Sequence, residues 1–229
     1  DFGIHLTLNS EWKNYRWGPV ASRDQVPSLL DGEQYLWDNV GQVMKHVNVK
    51  DAEKELRAQI ERAKSFGVPL SHLDTHMGAV VSRPDLLEMY VNLGIEYQLP
   101  VLFVANLDPE KYGLIAEKGK ELKAVLEKNN LPVLDELVQF YGESDYEKRK
   151  QAYLDKLRAL KPGVTQIIIH CGIDNQELQN ITNSSSRRDG DRRVFTDPEV
   201  IREIKDLEIE VITWKQFHEM AKQKVAVTE

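Results

Sequence analysis

Strand-like and helix-like segments alternate along most of this chain, and that alternation constrains its fold more than any other feature. Residues 4–8 form a short β-prone run. Residues 51–66 place Leu56, Ile60 and Ala63 on one helical face with Gly67 as a stop, and residues 69–76 read as a strand with a polar end. Ser82 and Pro84 mark the start of a helix reaching to about residue 97. A compact buried strand at 101–104 follows, then a charged helix over 109–129 and a candidate strand at 131–134. Residues 146–160 are helical, with Tyr153, Leu157 and Leu160 on one face and Pro162-Gly163 as the close. Residues 164–170, with Ile167, Ile168 and Ile169 in succession, are the clearest buried strand. Helices at 198–207 and 214–224 flank a last strand at 209–213, and a further helix is expected over 33–46. Residues 10–32 and the Ser- and Arg-rich residues 180–196 are expected as loops. The rhythm favours a parallel sheet with helical crossovers in one α/β domain spanning residues 1–229. In such folds catalytic groups collect at the C-terminal ends of the strands.

Composition narrows the partners. Hydrophobic residues make up 41% of the chain, enough for a large core. With 30 basic against 37 acidic residues the net charge is −7, which argues against a nucleic-acid or anionic-membrane surface. Residues 187–193 interleave both signs and do not read as a phosphate cradle. The single cysteine, Cys171, excludes an intrachain disulfide and is compatible with either a reducing or an oxidising compartment. No apolar run reaches the length of a membrane span. The chain opens on Asp1-Phe2-Gly3 without a methionine and reads as starting in mid-domain.

Of six histidines, three stand on or at the ends of expected strands: His5, His76 and His170. If those strands are parallel neighbours, the imidazoles converge at one mouth. Neutral imidazole is the commonest protein ligand for zinc. The alternative for each is a hydrogen-bonded structural histidine. His72, Asp74 and His76 share a parity and face the same way if the strand runs through all three. Asp74 is then a carboxylate available behind a ligating imidazole, or merely a cap for the following turn. His46 and His218 fall on expected helices and read as structural. Trp12, Tyr15 and Trp17, in the loop after the first strand, are a candidate sugar platform or a loop anchor.

Three motifs taken together, Gly3-Ile4-His5-Leu6-Thr7-Leu8, Ser71-His72-Leu73-Asp74-Thr75-His76 and the strand ending in His170, resemble those of YdjC-like carbohydrate deacetylases. The stretches Ser10-Glu11-Trp12, Tyr15-Arg16-Trp17-Gly18-Pro19, Arg188-x-x-Asp191 with Phe195, and Glu210-Val211-Ile212-Thr213-Trp214 resemble one branch of that family, so the likeness runs over nearly the whole chain. The resemblance implies a barrel of the polysaccharide-deacetylase type. It implies a divalent metal, Zn2+ or Mg2+, held by an aspartate and two histidines, here His5 and His76. The aspartate and the general base would lie in an Asp-Asp pair upstream of Gly3, which implies an incomplete or distorted barrel whose first βα unit is missing. His170 is the implied acid, and Asp74, Arg188 and Asp191 are implied to orient groups. Arg188 and Asp191 have a surface ion pair as their alternative. Trp12, Trp17 and Glu11 are the implied sugar contacts. The reaction so implied is hydrolysis of N-acetyl groups on amino sugars or oligosaccharides. The alternatives are another metal-assisted amide or ester hydrolysis, or carbohydrate binding without turnover. A barrel lacking a unit would also expose strand edges and favour a homo-oligomer.

Overall fold

A computed structural model describes residues 1–104, 106–140 and 142–226, which divide into two compact units. The first contains residues 1–11, 16–133 and the C-terminal segment from Ile212; the second contains residues 12–15 and 134–211.

In the first unit, strand β1 (Phe2–Leu6) is followed by a long irregular stretch and helices α1 (Val40–His46) and α2 (Val49–Ser65). Residues 33–39, expected to be helical, are instead turns and an extended N-cap at Asn39, whose side chain accepts from the Gln42 amide. Strand β2 (Leu70–Thr75), a short 3-10 turn (His76–Val81) and α3 (Pro84–Tyr97) come next. Pro84 sits in the first turn of α3 as expected, but the N-cap is Arg83 rather than Ser82. The single charged helix expected over 109–129 is two, α4 (Pro109–Tyr112) and α5 (Leu114–Lys128). The break falls at Gly113, whose φ of +47° suits a residue without a Cβ.

β1 and β2 pair in parallel, with His5 opposite Asp74 and Gly3 opposite His72. Residues 101–104 do not extend this pair as a full strand. They contribute one parallel bridge, Leu73 to Val101, where Leu102 N donates to Leu73 O and Leu73 N to Pro100 O. The buried phenol of Tyr90 sits at the same place, donating to Leu73 O at 2.7 Å and accepting from Leu102 N at 3.0 Å. Leu6, Leu8, Leu56, Ile60, Leu73 and Leu86 form the centre of the core. β1, α2, β2 and α3 all contribute side chains to it.

In the second unit β3 (Glu136–Gln139), α6 (Tyr146–Arg158), β4 (Thr165–Ile168), α7 (Gln176–Ile181), α8 (Ser185–Val194) and α9 (Pro198–Asp206) follow in order. The strand expected at 131–134 lies further on, at β3; Leu131 and Leu134 are buried as core side chains, not as ladder residues. β3 pairs in parallel with β4, Val138 facing Ile167. The residues of β4 are only half-buried, in a sheet of two strands. Residues 180–196 are not one loop: α8 occupies most of them. Residues 209–213 form no strand. Tyr153, Leu154, Leu157, Val194 and Val200 make this unit's core. The chain ends in the first unit with α10 (Trp214–Ala226).

The mixed α/β class and parallel pairing agree with expectation. Among the described residues, however, the strands make two separate two-stranded sheets and no continuous barrel. No helix among them is long and apolar enough to cross a membrane.

Candidate functional site

The parallel register brings His5 of β1 against Asp74 of β2, and the His5 Nδ1–H donates to Asp74 Oδ1 at 2.7 Å. His76 stands immediately after β2. There Met77 (φ 52°) and Gly78 (φ 71°) adopt left-handed backbone and reverse the chain. Thr75 Oγ1 secures that reversal by accepting from Val80 N. The His76 Nε2–H donates to Glu11 Oε2 at 2.8 Å. His76 Nδ1 is then 3.3 Å from His5 Nε2, with the rings edge to face at 5.3 Å. Buried Asn9 donates from Nδ2 to Glu11 Oε2 and to Met77 Sδ. Trp17, whose backbone amide donates to Ser10 Oγ, lies edge-on to His76 at 6.1 Å. Five residues singled out from the sequence (His5, His76, Asp74, Glu11 and Trp17) thus meet at one place in the first unit.

The arrangement has a chemical consequence. A carboxylate only accepts, so Asp74 fixes the hydrogen of His5 on Nδ1, and the lone pair of its Nε2 faces outward. His76 Nδ1 presents a second lone pair to the first. Tetrahedral zinc with Zn–N bonds of about 2.0–2.1 Å spaces two ligand nitrogens by about 3.3–3.4 Å. The observed separation fits two positions of such a site, and nitrogen donors suit zinc better than magnesium, which prefers oxygen. Among the described residues no group of three or more His, Cys, Asp or Glu side chains is arranged to hold a metal. The His5 side chain is 54% exposed, so the pair opens to solvent.

His72 does not join them. It shares the face of Asp74 but lies two residues earlier, about 6.6 Å back along the strand. There its ring covers Gly3, stacks on Trp214 at 4.6 Å and 11°, and bonds the Ser71 hydroxyl through Nδ1. Burial pushes its pKa down to about 4, so it is a neutral packing residue. His46 is likewise structural, stacked on Trp37 at 4.3 Å.

The remaining singled-out residues are grouped within the second unit. Asp191, expected on a loop with a surface ion pair as one alternative, is 1% exposed on α8. It pairs there with the equally buried Arg149 at 2.6 Å and accepts from the Tyr153 hydroxyl at 2.7 Å. Its other oxygen accepts the backbone N–H of His170 at 2.9 Å, which fixes the chain just beyond β4. Arg188 donates from Nε to Ser184 Oγ, and its guanidinium lies 5.9 Å over the Trp12 ring. Trp12 in turn lies 6.3 Å from the exposed Tyr15. The Cys171 thiol is pushed up, by partial burial first and by Asp191 second, opposite to what a thiolate nucleophile needs. Asn9 and Arg149 were not legible as site residues. A buried amide and a buried counter-ion are identified by three-dimensional partners, not by spacing.

Over residues 1–206 the chain matches the family model described as YdjC-like protein. It is 32% identical over 219 residues to a carbohydrate deacetylase of Thermus thermophilus, across 96% of this chain and 78% of that one. It is 28% identical over 206 residues to a carbohydrate deacetylase of Thermoanaerobacter pseudethanolicus, across 90% and 73%. A crystal structure from Enterococcus faecalis, of a protein whose suggested role is cellobiose-phosphate cleavage, superposes with a TM-score of 0.74 at 24% identity. It covers 93% of this chain and 76% of that one, and at this identity the likeness speaks for the fold alone.

Proposed function

The chain belongs to the YdjC-like protein family, and from that premise we propose that it is a metal-dependent hydrolase that deacetylates a carbohydrate, with N-acetylated amino sugars as the substrate class. One observation carries the metal dependence: two imidazole nitrogens 3.3 Å apart, each on a ring whose other nitrogen is held by a carboxylate. The residues that would hold the cation are His5 and His76. The chemistry a divalent cation supplies when bound is polarisation of the acyl carbonyl and activation of water at neutral pH. Asp74 keeps the His5 ring in the tautomer that leaves Nε2 basic. Trp17 packs edge to face with His76 at 6.1 Å. By resemblance His170 is the acid for the leaving amine, and Asp191 acts through the His170 backbone amide rather than by touching sugar. Arg188 and Trp12 remain the candidate sugar contacts of the second unit.

The test is zinc content together with acetate release from N-acetylated oligosaccharides, using simple acetyl esters as the comparison. His5→Ala and His76→Ala should each lose bound zinc and fall to background turnover. Unchanged metal stoichiometry in both variants would rule out these ligands. Preference for the simple esters would replace the deacetylase reading with a general metal-assisted esterase. His170→Gln should keep its zinc but lose the alkaline limb of the pH–rate profile, because an acid must be protonated to act.

A second reading, carbohydrate binding without turnover, is favoured by one observation: among the described residues no third acidic, histidine or cysteine ligand joins the pair. Glycan binding with no acetate released by a zinc-loaded protein would select it.

A further inference from the structure

Two neutral imidazoles with nitrogens 3.3 Å apart have an obvious way to satisfy each other. Either ring can move its hydrogen to the inner nitrogen and donate it across the gap, since neutral imidazole exists as two tautomers of similar energy. That N–H···N bond would consume both lone pairs and close the gap to any cation. On the His5 side the carboxylate of Asp74 prevents it. The corresponding group on the His76 side is Glu11, which the sequence marked only as a sugar contact.

Glu11 is built for that task. Its Oε2 lies 2.8 Å from His76 Nε2, and the two side chains are only 23% and 18% exposed. The same oxygen accepts from Asn9 Nδ2 at 3.3 Å, and Asn9 is fully buried. Asn9 is itself tied by its second donor hydrogen to the Sδ of Met77, the residue after His76. A ring of contacts therefore runs from His76 to Glu11 to Asn9 to Met77 and back through the chain. Met77 holds a φ of 52°, an uncommon conformation for a non-glycine residue, which fits a segment held from both sides.

We propose that Glu11 is a positioning residue: its carboxylate holds the His76 hydrogen on Nε2 and so keeps the two imidazoles from hydrogen-bonding to each other. The pair then stays open as two outward lone pairs. This rests on the reading of His5 and His76 as ligands for its purpose, but the tautomer itself can be read with no metal and no substrate.

The experiment uses the full chain, 15N-labelled, stripped by a chelator and held at pH about 8, above the ordinary imidazole range. Two-bond 15N–1H correlations report which ring nitrogen of His76 carries the hydrogen. In the wild type it should be Nε2, and a wild-type Nδ1–H overturns the proposal whether or not any variant folds. In Glu11→Ala the hydrogen should move largely to Nδ1. In Glu11→Gln it should stay on Nε2, because the amide carbonyl still accepts. Zinc alone, measured by chelator competition, should bind about 10–100-fold more weakly to Glu11→Ala and close to normally to Glu11→Gln. A folded Glu11→Ala that keeps the Nε2–H overturns the proposal. If Glu11→Ala raises KM for the sugar with the tautomer and zinc affinity unchanged, Glu11 is a sugar contact instead. A wild type with the Nε2–H tautomer that takes up no zinc supports the role of Glu11 while removing the metal-dependent reading, so the two fail separately.

Discussion

Gly3 and His72 face each other in the parallel register, and the ring of His72 leaves no room for a side chain at residue 3. A Cβ at residue 3 would stand 2.2 Å from His72 Nε2, inside any real contact distance. Gly3→Ala must displace a ring stacked on Trp214, at a cost of about 1–3 kcal/mol by overpacking, which urea unfolding would report. His72 also has a pH signature. Burial lowers its pKa from 6.5 to about 4, so between those values the unfolded chain binds more protons than the folded one. Stability therefore rises with pH through this window and falls as pH drops from about 6.5 towards 4. Urea midpoints across that range should show the slope, and His72→Phe should flatten it. At Asp191 the stakes are larger. Asp191→Ala leaves the buried Arg149 guanidinium without its counter-charge, which costs about 3–5 kcal/mol. Thermal melts should show that loss, and a loss under about 1 kcal/mol would mean that water reaches the pair.

Among the elements, α2 does more than bury an apolar face. Glu55, fully buried, accepts from the amides of Val20 and Ala21 at 2.8 Å. One turn later Gln59 bonds both the N–H and the carbonyl of Thr7. This helix therefore ties the chain just beyond β1 to the loop just after Trp17. Glu55→Ala strands two amides, each worth about 1–3 kcal/mol when buried unsatisfied. Hydrogen exchange at residues 20 and 21 should accelerate, while the β1–β2 ladder stays protected. On α8, the apolar spacing is too sparse to announce a helix in a run so rich in Ser and Arg. It forms because Asp191 and Val194 are buried, and Gly190 lets the backbone approach Arg149, a Cβ there standing 3.0 Å from Arg149 Cδ. Tertiary partners overrode local propensity at that element.

At the scale of the molecule, the functional reading predicts linkage between metal and folding. Zinc that binds only the folded chain stabilises it by about 2.7 kcal/mol at 100 times the dissociation constant. The Tm should rise accordingly with zinc, and the rise should vanish in His5→Ala and His76→Ala. The same Tm shift in both variants would place the zinc elsewhere. The sequence by itself determined the alternation of strands and helices and the placing of histidines on or at the ends of strands. Each of these is written in local periodicity and residue type, which a chain carries regardless of its partners. Tertiary structure alone decided that His72 packs while His76 faces His5, that Glu11 and Asn9 stand behind His76, and that Asp191 is buried on a helix rather than placed on a loop. It also decided that residues 101–104 give one bridge and residues 209–213 no strand. Those outcomes depend on which side chain occupies the space beside another, and that is settled only when distant segments of the chain meet.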